Sequence, residues 1–449
     1  MSTRLGRRWA PIAAATAIAL TLVACSPGSG SGDDTGGDGG DDGEVTTVTF
    51  RLWDESAAAA YEESFAAFTE QHPEIKVEIE TVPWANYWEQ LPLDLQADEM
   101  ADIFWTNTSN FGKYADSGNL LDITDTLGDD HDEWNQGAID LYMRDGSLWG
   151  VPQLTDSIAL FYNKTLLDDA GIDPETLAWS PNVDEDTLLP ALQQLTVDAS
   201  GVTAAEDGFD PDDVAVWGFN AQNDLQAIWL DFLAQNGGTF QDGDQYAFDS
   251  PEGVAAFQYL VDLINTHHVS PSAADTNANG DLARDLFVQG KMALFQSGQY
   301  SLTAMQDIGD SFEWGIAPMV AGPEGRIGVV HAVAALGNAA TENPEAVTEV
   351  LRWIGSAEGQ GYLASNGAAF PAAVEAQQTF TDYWTDQGVD TSAFVEQAAG
   401  LTTPAPLGPN SNAGLEAIGG YFPDMFAGII PVEEALADAQ EAGNEAIAE

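Results

Sequence analysis

The stretch Gly150-Val-Pro-Gln-Leu-Thr-Asp-Ser-Ile-Ala-Leu-Phe-Tyr-Asn-Lys164 decides the fold of this chain. It opens with the turn-forming residues Gly150 and Pro152 and ends in a strand-like apolar run, 158–162. A short polar patch that contains Asp156 lies between them. Such a segment can leave one packed unit and enter another while it carries polar side chains through the gap. We therefore predict a hinge strand between two lobes, with a binding site in the gap.

The region before this stretch alternates between strand and helix patterns. Residues 45–52 and 76–82 alternate apolar and polar side chains, and 101–105 is a third short strand, with helical spacing between these segments. This order predicts an α/β lobe with a largely parallel sheet. In such sheets ligands bind beyond the carboxyl ends of the strands. The residues directly after strands are Trp53, Trp84 and Asn107.

The region after the stretch contains helix starts at Pro251 and Pro344 and two further segments that could pass between lobes. We predict lobe 1 as 45–153 plus 273–330 and lobe 2 as 154–268 plus 335–449, with hinge crossings near 152–158, 267–274 and 328–336.

Composition excludes several classes of protein. The chain has 449 residues, 44% of them hydrophobic, so it can build sizeable cores. Twelve Lys and Arg against 73 Asp and Glu give a net charge of −61. Nucleic acid is therefore a poor partner, because like charges repel. The acidity favours a solubility or high-salt adaptation of the whole surface, with attraction of a cationic ligand as the alternative.

The N-terminus has the pattern of an export signal. Three Arg precede the apolar residues 10–24, and small residues stand directly before Cys25. We predict a lipoprotein signal peptide at 1–24, lipidation of Cys25, and a flexible acidic Gly/Ser/Asp tether at 25–44. Arg7-Arg8 leaves the choice between general and twin-arginine export open. No later apolar run reaches the ~18 residues of a membrane span, so the lipid would be the only anchor.

Signals for catalysis or metal binding are weak. The chain lacks the Gly-x-Ser-x-Gly and phosphate-loop motifs, and Cys25 is its only cysteine. Neighbouring His267 and His268 would point to opposite faces of a strand. The spacing Asp275-x-Asn-x-Asn279-Gly matches half of a calcium loop, but Leu286 stands where a bidentate Glu belongs. We predict no enzyme activity, no cofactor and no metal, and leave a structural calcium near Asp275 open.

The informative signal is aromatic. The chain has 13 Trp, and several aromatic residues fall in loops or at element ends, where core packing is the weaker interpretation. Flat rings cover the C–H face of a sugar, while carboxylates and amides bind its hydroxyls. These residues predict a carbohydrate cleft, with core packing as the alternative for each one. The set is Trp53, Trp84, Tyr87, Trp229 and Tyr300.

Short motifs along residues 45–449 carry a family resemblance, which the signal and Cys25 accompany. They are Ala101–Trp105 with Tyr114–Gly118, Leu148–Pro152 with Leu160–Lys164, Gln235–Gly238, Phe248–Pro251, Phe287–Lys291 and Ser356–Gln360. In this order and spacing the chain resembles the family 1 extracellular solute-binding proteins of bacterial ABC importers, the group that includes maltose-binding protein.

The resemblance implies the two-lobe periplasmic-binding-protein fold, type II-like, with three interlobe crossings and a ligand cleft between the lobes. It places the hinge acid at Asp156. It puts an aromatic side chain at Tyr300, where the family more often has Trp. The other ligand-binding positions that it implies are Trp53, Asp54, Glu55, Asn107, Ser109, Asn110, Trp229 and, more weakly, His331. Trp84 and Tyr87 rest on the aromatic pattern alone.

The function expected from this resemblance is capture of a mono- or oligosaccharide by lobe closure and delivery to the transmembrane subunits of an ABC permease. The protein would be a monomer, anchored through Cys25 on the outer face of the cell membrane. The alternatives are another small polar solute, a surface glycoside hydrolase, and a sensor or adhesin built on the same body.

Overall fold

A computed structural model describes residues 45–97, 99–115, 118–128, 130–243, 245–408 and 410–448. The predicted signal peptide at 1–24, the lipidation site Cys25 and the tether at 25–44 lie outside the described residues. Within the described part, no helix combines the length and the apolar character that a membrane crossing needs.

The first segment of the chain, up to residue 156, contains β1 (Thr46–Leu52), α1 (Glu55–Gln71), β2 (Ile75–Thr81), α2 (Trp84–Ala97), β3 (Ile103–Asn107), α3 (Thr108–Ala115), α4 (Ile123–Leu127), α5 (Gln136–Leu141), β4 (Met143–Arg144), β5 (Ser147–Leu148) and β6 (Val151–Asp156). The second, up to residue 329, contains β7 (Ile158–Asn163), α6 (Lys164–Ala170), α7 (Leu188–Leu195), β8 (Val197–Asp198), β9 (Val214–Val216), α8 (Leu230–Gln235), β10 (Gln241–Asp242), β11 (Gln245–Tyr246), α9 (Pro251–Asn265), α10 (Ala273–Ala278), α11 (Leu282–Val288), β12 (Leu294–Gly298), α12 (Leu302–Met305), β13 (Trp314–Pro318) and β14 (Ile327–Val329). The third contains β15 (His331–Gly337), α13 (Pro344–Gly355), α14 (Ala357–Ser365), α15 (Gln377–Asp386), α16 (Ser392–Ala398), β16 (Leu401–Thr403), α17 (Ser411–Gly419), α18 (Phe422–Phe426) and α19 (Val432–Ala448).

Lobe 1 comprises residues 45–156 and 331–376. Its sheet has the strand order β2-β1-β3-β15-β6, in which β1 runs parallel to β2 and β3 while β15 runs antiparallel to β3 and β6. Alternation buries Val48, Phe50 and Leu52 of β1. Helices α1, α13 and α14 cover this sheet and share its core.

Lobe 2 comprises residues 158–329 and 377–448. Its central strand β7 lies between β12 and β13 and runs antiparallel to both. Successive residues of β7 face two different cores, as the period of a strand requires. Ile158 and Leu160 join a core with α7, α8, α9 and α19, whereas Ala159 and Phe161 join a core with α11, α15 and α16.

The predicted lobe boundaries need correction at two places. The segment 273–330 was predicted in lobe 1, but Leu294 and Val329 pack in the core of Ile158, because β12 pairs with β7. The segment 335–376 was predicted in lobe 2, but Leu336 and Val350 pack in lobe 1, because β15 is inserted between β3 and β6.

One of the three predicted crossings is also misplaced. Residues 267–274 stay inside lobe 2, where Val269 and Ala273 are buried in the same core as Ile158. The chain instead passes from lobe 1 to lobe 2 between Ala376 and Phe380. The other two passages fall inside the predicted ranges, at residue 157 and at residue 330.

A partly buried ion pair fixes helix α2 on the sheet of lobe 1. The Nε–H of Arg51 donates to Glu80 at 2.8 Å and its Nη1–H donates to Asp94 of α2 at 2.6 Å. The side chain of Arg51 is only 7% exposed. Its removal would leave two carboxylates without their cation, which is costly in a partly desolvated place.

We expect Arg51→Met to lower the free energy of unfolding by about 1–3 kcal/mol in urea titrations, because both hydrogen bonds are lost. The matched control is Lys76→Ala. Lys76 pairs with Glu78 in an exposed position, where an ion pair contributes about 1 kcal/mol or less. Equal losses for the two variants would contradict this role of Arg51.

Candidate ligand-binding site

Two of the passages between the lobes lie side by side. Strand β6 ends at Asp156, and β15 begins at His331, its direct partner in the antiparallel ladder. Ser157 follows in the gap, and its backbone N–H donates to Oε1 of Gln299 at 3.0 Å while its hydroxyl donates to the carbonyl of Phe394 at 2.7 Å. Both acceptors belong to lobe 2. The position of Asp156 is therefore fixed by backbone pairing on one side and by Ser157 on the other.

The Asp156 carboxyl is buried without compensation. The residue is 8% exposed, and no described residue donates a hydrogen bond to its carboxylate. Burial, and then the nearby carboxylate of Asp54, raise the pKa of Asp156 to about 7. A buried acid without donors is uncommon, and its usual explanation is a functional one.

Asp54 reaches this place from the carboxyl end of β1. It is the N-cap of α1, and its Oδ1 accepts from the backbone N–H of Ala57 at 2.7 Å. Burial raises the pKa of Asp54, while the donated N–H groups of the first helical turn act against that rise. The neighbouring Glu55 is exposed.

A cluster of aromatic rings lies directly beside Asp54. The ring centroid of Trp53 is 5.1–5.3 Å from those of its four neighbours, Trp84, Tyr87, Trp88 and Trp105. Tyr87 is 1% exposed and its hydroxyl donates to the carbonyl of Trp105 at 2.7 Å, so it supports the cluster from within the core. Trp84 is 51% exposed and offers a free ring face.

Tyr300 brings a second exposed ring from lobe 2. It is 42% exposed and follows Gly298, at the end of β12. A Cβ atom at Gly298 would lie 2.2 Å from Cε1 of Tyr300, so the ring uses space that only glycine leaves open. Loss of solvation, and then the carboxylates of Asp224 and Asp156, raise the pKa of Tyr300.

Asp224 is a site residue that the sequence analysis missed. Its Oδ1 caps the π-helical turn Leu225–Trp229 by accepting from the N–H groups of Gln226 and Ala227 at 2.9 and 2.8 Å. Burial raises its pKa. A sequence signal could have identified this residue, because an Asp directly before a helical segment is a standard N-cap signal.

His331 lies at a passage between the lobes, as predicted, but its side chain makes no hydrogen bond with a described residue. It is 4% exposed, and neither ring nitrogen has a hydrogen-bond partner among the described residues. Burial lowers the pKa of His331 to about 3, so its ring is neutral at physiological pH. Because directly paired residues of a ladder leave the sheet on the same face, its side chain and that of Asp156 share one face.

The polar residues after β3 form a contact between lobes. Asn107 Oδ1 accepts from the backbone and side-chain N–H groups of Asn110 at 3.1 and 2.8 Å. Oδ1 of Asn110 in turn accepts from Asn412 on α17 of lobe 2 at 2.7 Å. Ser109 Oγ is buried without a described partner. Asn412 was not predicted, because nothing in its local sequence indicates which distant helix it faces.

Trp229 was predicted to face the cleft, and the structure corrects this. It is 4% exposed, and its ring centroid is 5.0–5.8 Å from those of Phe240, Phe257 and Phe422 in the core of lobe 2. Its ring faces are therefore covered by other rings. An amphipathic helix shows which residues share a face, but not which of them end in the core.

The half calcium loop near Asp275 does not form a loop. Residues 273–278 form α10, and the hydroxyl of its N-cap Ser272 donates to Oδ2 of Asp275 at 2.7 Å. A helix cannot turn its side chains around one ion as a calcium loop does. Within the described ranges, no group of three or more His, Cys, Asp and Glu could hold a metal ion.

The fold and this junction define a class of protein. The chain belongs to the bacterial extracellular solute-binding protein family, whose family model matches residues 53–361. This class consists of binding proteins of transporters and not of enzymes. Membership of the class confirms the prediction that the chain is not an enzyme. The family and its solved members also confirm the two-lobe α/β fold.

Particular proteins of this class are similar to the chain. UspC of Mycobacterium tuberculosis is 48% identical, with a TM-score of 0.70 over 89% of this chain and 100% of that chain. Lmo0181 of Listeria monocytogenes, solved with cycloalternan, is 24% identical, with a TM-score of 0.77 over 89% and 98% of the two chains. An arabinooligosaccharide-binding protein of Bacillus subtilis is 24% identical over 57% of this chain, which spans 54% of that protein.

The structure thus separates two kinds of tryptophan that look alike in the sequence. We expect Trp229→Ala to lower the free energy of unfolding by about 3–5 kcal/mol, because it opens a cavity in a core. Trp84→Ala should change it by less than about 1 kcal/mol, because half of that side chain is already exposed. Urea unfolding followed by circular dichroism measures both, and a larger loss for Trp84→Ala would contradict these positions.

Proposed function

We propose that the protein is the sugar-binding component of an ABC importer and that its ligand binds where Asp54, Asp156 and Tyr300 meet. The observation that carries this proposal is the Asp156 carboxyl, which is buried at a passage between the lobes with no described donor. A sugar hydroxyl can supply the missing hydrogen bond.

Exposed rings on both lobes support a carbohydrate. Trp84 of lobe 1 and Tyr300 of lobe 2 offer ring faces, and such faces pack against the C–H groups of a sugar ring. Similar proteins point the same way, since they include an arabinooligosaccharide-binding protein, a maltodextrin-binding protein and a substrate-binding protein solved with cycloalternan. An oligosaccharide is therefore the ligand class that we favour.

The charge of the site disfavours anionic sugars. No described Lys or Arg contributes to the pKa of Asp54, Asp156, Asp224 or Tyr300. A uronate or sugar phosphate would bring a further negative charge to three carboxyl groups with no cation to balance it. A neutral, hydroxyl-rich ligand brings donors without that repulsion.

Transport requires that the lobes close on the ligand, so that the permease binds the loaded form. A ligand that contacts both lobes shifts the population towards the closed state. We further propose that the protein is a monomer, held on the outer face of the membrane by a lipid at Cys25, and that it delivers its sugar to the transmembrane subunits of the permease. The predicted tether at 25–44 would separate the lobes from the membrane.

The first test is isothermal titration with glucose, maltotriose, cellotriose, arabinotriose and trigalacturonate. We expect one neutral sugar to bind with a stoichiometry of 1:1, and no binding of trigalacturonate. In Asp156→Ala this sugar should bind at least about tenfold more weakly, since the loss of a hydrogen bond to a charged acceptor costs about 1.5–3 kcal/mol.

The matched control for this test is Asp186→Ala, which removes a buried acid that accepts a hydrogen bond from Tyr259 outside the site. Binding of none of the neutral sugars would refute the carbohydrate assignment. Turnover of a chromogenic glycoside would instead favour the hydrolase alternative.

The Asn110–Asn412 hydrogen bond provides a test of lobe closure. We expect Asn412→Ala to weaken sugar binding by about two- to tenfold, because the closed state then lacks the hydrogen bond between α3 and α17. The measurement is titration with the sugar identified above. Asn410→Ala is the matched control, because its side chain bonds within lobe 2 to the carbonyl of Ile447. Equal affinities of Asn412→Ala and wild type would show that this contact does not stabilise the liganded form.

A further inference from the structure

Two carboxyl groups at the junction of the lobes differ in the donors that they receive. Asp54 accepts the backbone N–H of Ala57 at 2.7 Å, which stabilises its charge. Asp156 receives no described donor and is more than nine-tenths buried. After burial, the carboxylate of Asp54 is the second cause that raises the pKa of Asp156, since like charges in a desolvated place repel.

The groups around Asp156 cannot take over its charge. His331 stands opposite it in the ladder, but this ring is buried, neutral and without a described partner. The charges of Asp224 and Asp156 both act on the phenol of Tyr300, and together with loss of solvation they raise its pKa. The helices packed on β6 are α5 and α13. Their charged residues are Asp140, Glu345 and Arg352, which are exposed, and Glu349, which is partly exposed.

We propose that Asp156 carries a proton in the unliganded protein at mildly acidic pH, and that the sugar expels this proton when it binds. The inference rests on the proposed function. The O–H bond of Asp156 breaks and its proton leaves to solvent, since the buried ring of His331 stays neutral and Asp54 already accepts the N–H of Ala57. The sugar hydroxyl keeps its own proton and donates a hydrogen bond to the carboxylate that results.

The direction of the pH dependence follows from this exchange. A bound donor stabilises the ionised form of Asp156, so its pKa is lower in the complex than in the free protein. Affinity then rises with pH up to the pKa of the free protein, about 7, and is constant above it. A ligand that accepted a hydrogen bond from protonated Asp156 would give the opposite slope.

The test is titration of the neutral sugar that binds, at pH 6, 7 and 8, in PIPES and in imidazole buffers. The two buffers differ in ionisation enthalpy, so the difference between the observed enthalpies gives the number of protons released. With a free pKa of about 7, we expect release of about 0.9, 0.5 and 0.1 proton. The affinity should rise about tenfold from pH 6 to pH 8.

Two variants identify the source of the proton. Asp156→Asn should bind with no proton release and with an affinity that is independent of pH, whereas Asp186→Asn should behave as the wild type. Wild-type release in Asp156→Asn would overturn the assignment to Asp156. Proton uptake, or no release in the wild type, would overturn proton expulsion and leave the sugar-binding proposal intact. If no neutral sugar binds, both proposals fail.

A measurement on the free protein covers the case in which Asp156→Asn does not bind sugar. A carboxyl whose pKa is raised by folding stabilises the folded protein at low pH. This stabilisation is lost as the pH rises from the pKa in the unfolded chain to the pKa in the folded protein. The thermal midpoint of the wild type should therefore fall relative to that of Asp156→Asn between about pH 5 and about pH 8. Parallel midpoints for the two proteins over this range would overturn the proposal.

Discussion

The antiparallel pairing of β6 with β15 is the constraint on which the rest of the structure depends. A chain that passes between two cores must satisfy its backbone hydrogen bonds in the gap, and a strand ladder does this without help from side chains. The ladder runs to its last pair, Asp156 and His331, directly before the chain enters lobe 2. Side chains at this pair can therefore be polar, and neither Asp156 nor His331 has a side-chain hydrogen-bond partner among the described residues.

The junction also explains why the acidic residues of the site come from distant places in the sequence. Asp54 follows the first strand of lobe 1, Asp156 ends the last strand before the first passage, and Asp224 begins a helical turn of lobe 2. Asp54 and Asp224 stand directly before helical segments and accept N–H groups from the first turn. Helix N-termini thus stabilise two of the three carboxylates, and Asp156 is the one that receives no described donor.

Much of the fold could be predicted from local patterns, because alternation and helix caps are short-range signals. The strands around Phe50 and Ile103, the helix that begins at Pro344 and the place of Asp156 at a passage between the lobes all follow from them. Membership of a lobe could not be predicted in this way. Residues 273–330 and 335–376 were assigned to the wrong lobes, because long-range packing decides which strands pair and sequence periodicity does not indicate it. Trp229 and Asn412 illustrate the same limit for single side chains.

The contact between Gly298 and the ring of Tyr300 couples the substitutions that these two positions can accept. The ring occupies the volume that any larger residue at 298 would need, so substitutions of Gly298 are acceptable only if residue 300 becomes small or turns away. An exchange of Tyr300 for a larger ring depends on retention of the same glycine. The side chain at position 300 can therefore vary in size and polarity as long as residue 298 remains glycine. If Tyr300 contacts the ligand as proposed, ligand preference can diverge among descendants of this protein without any change of backbone.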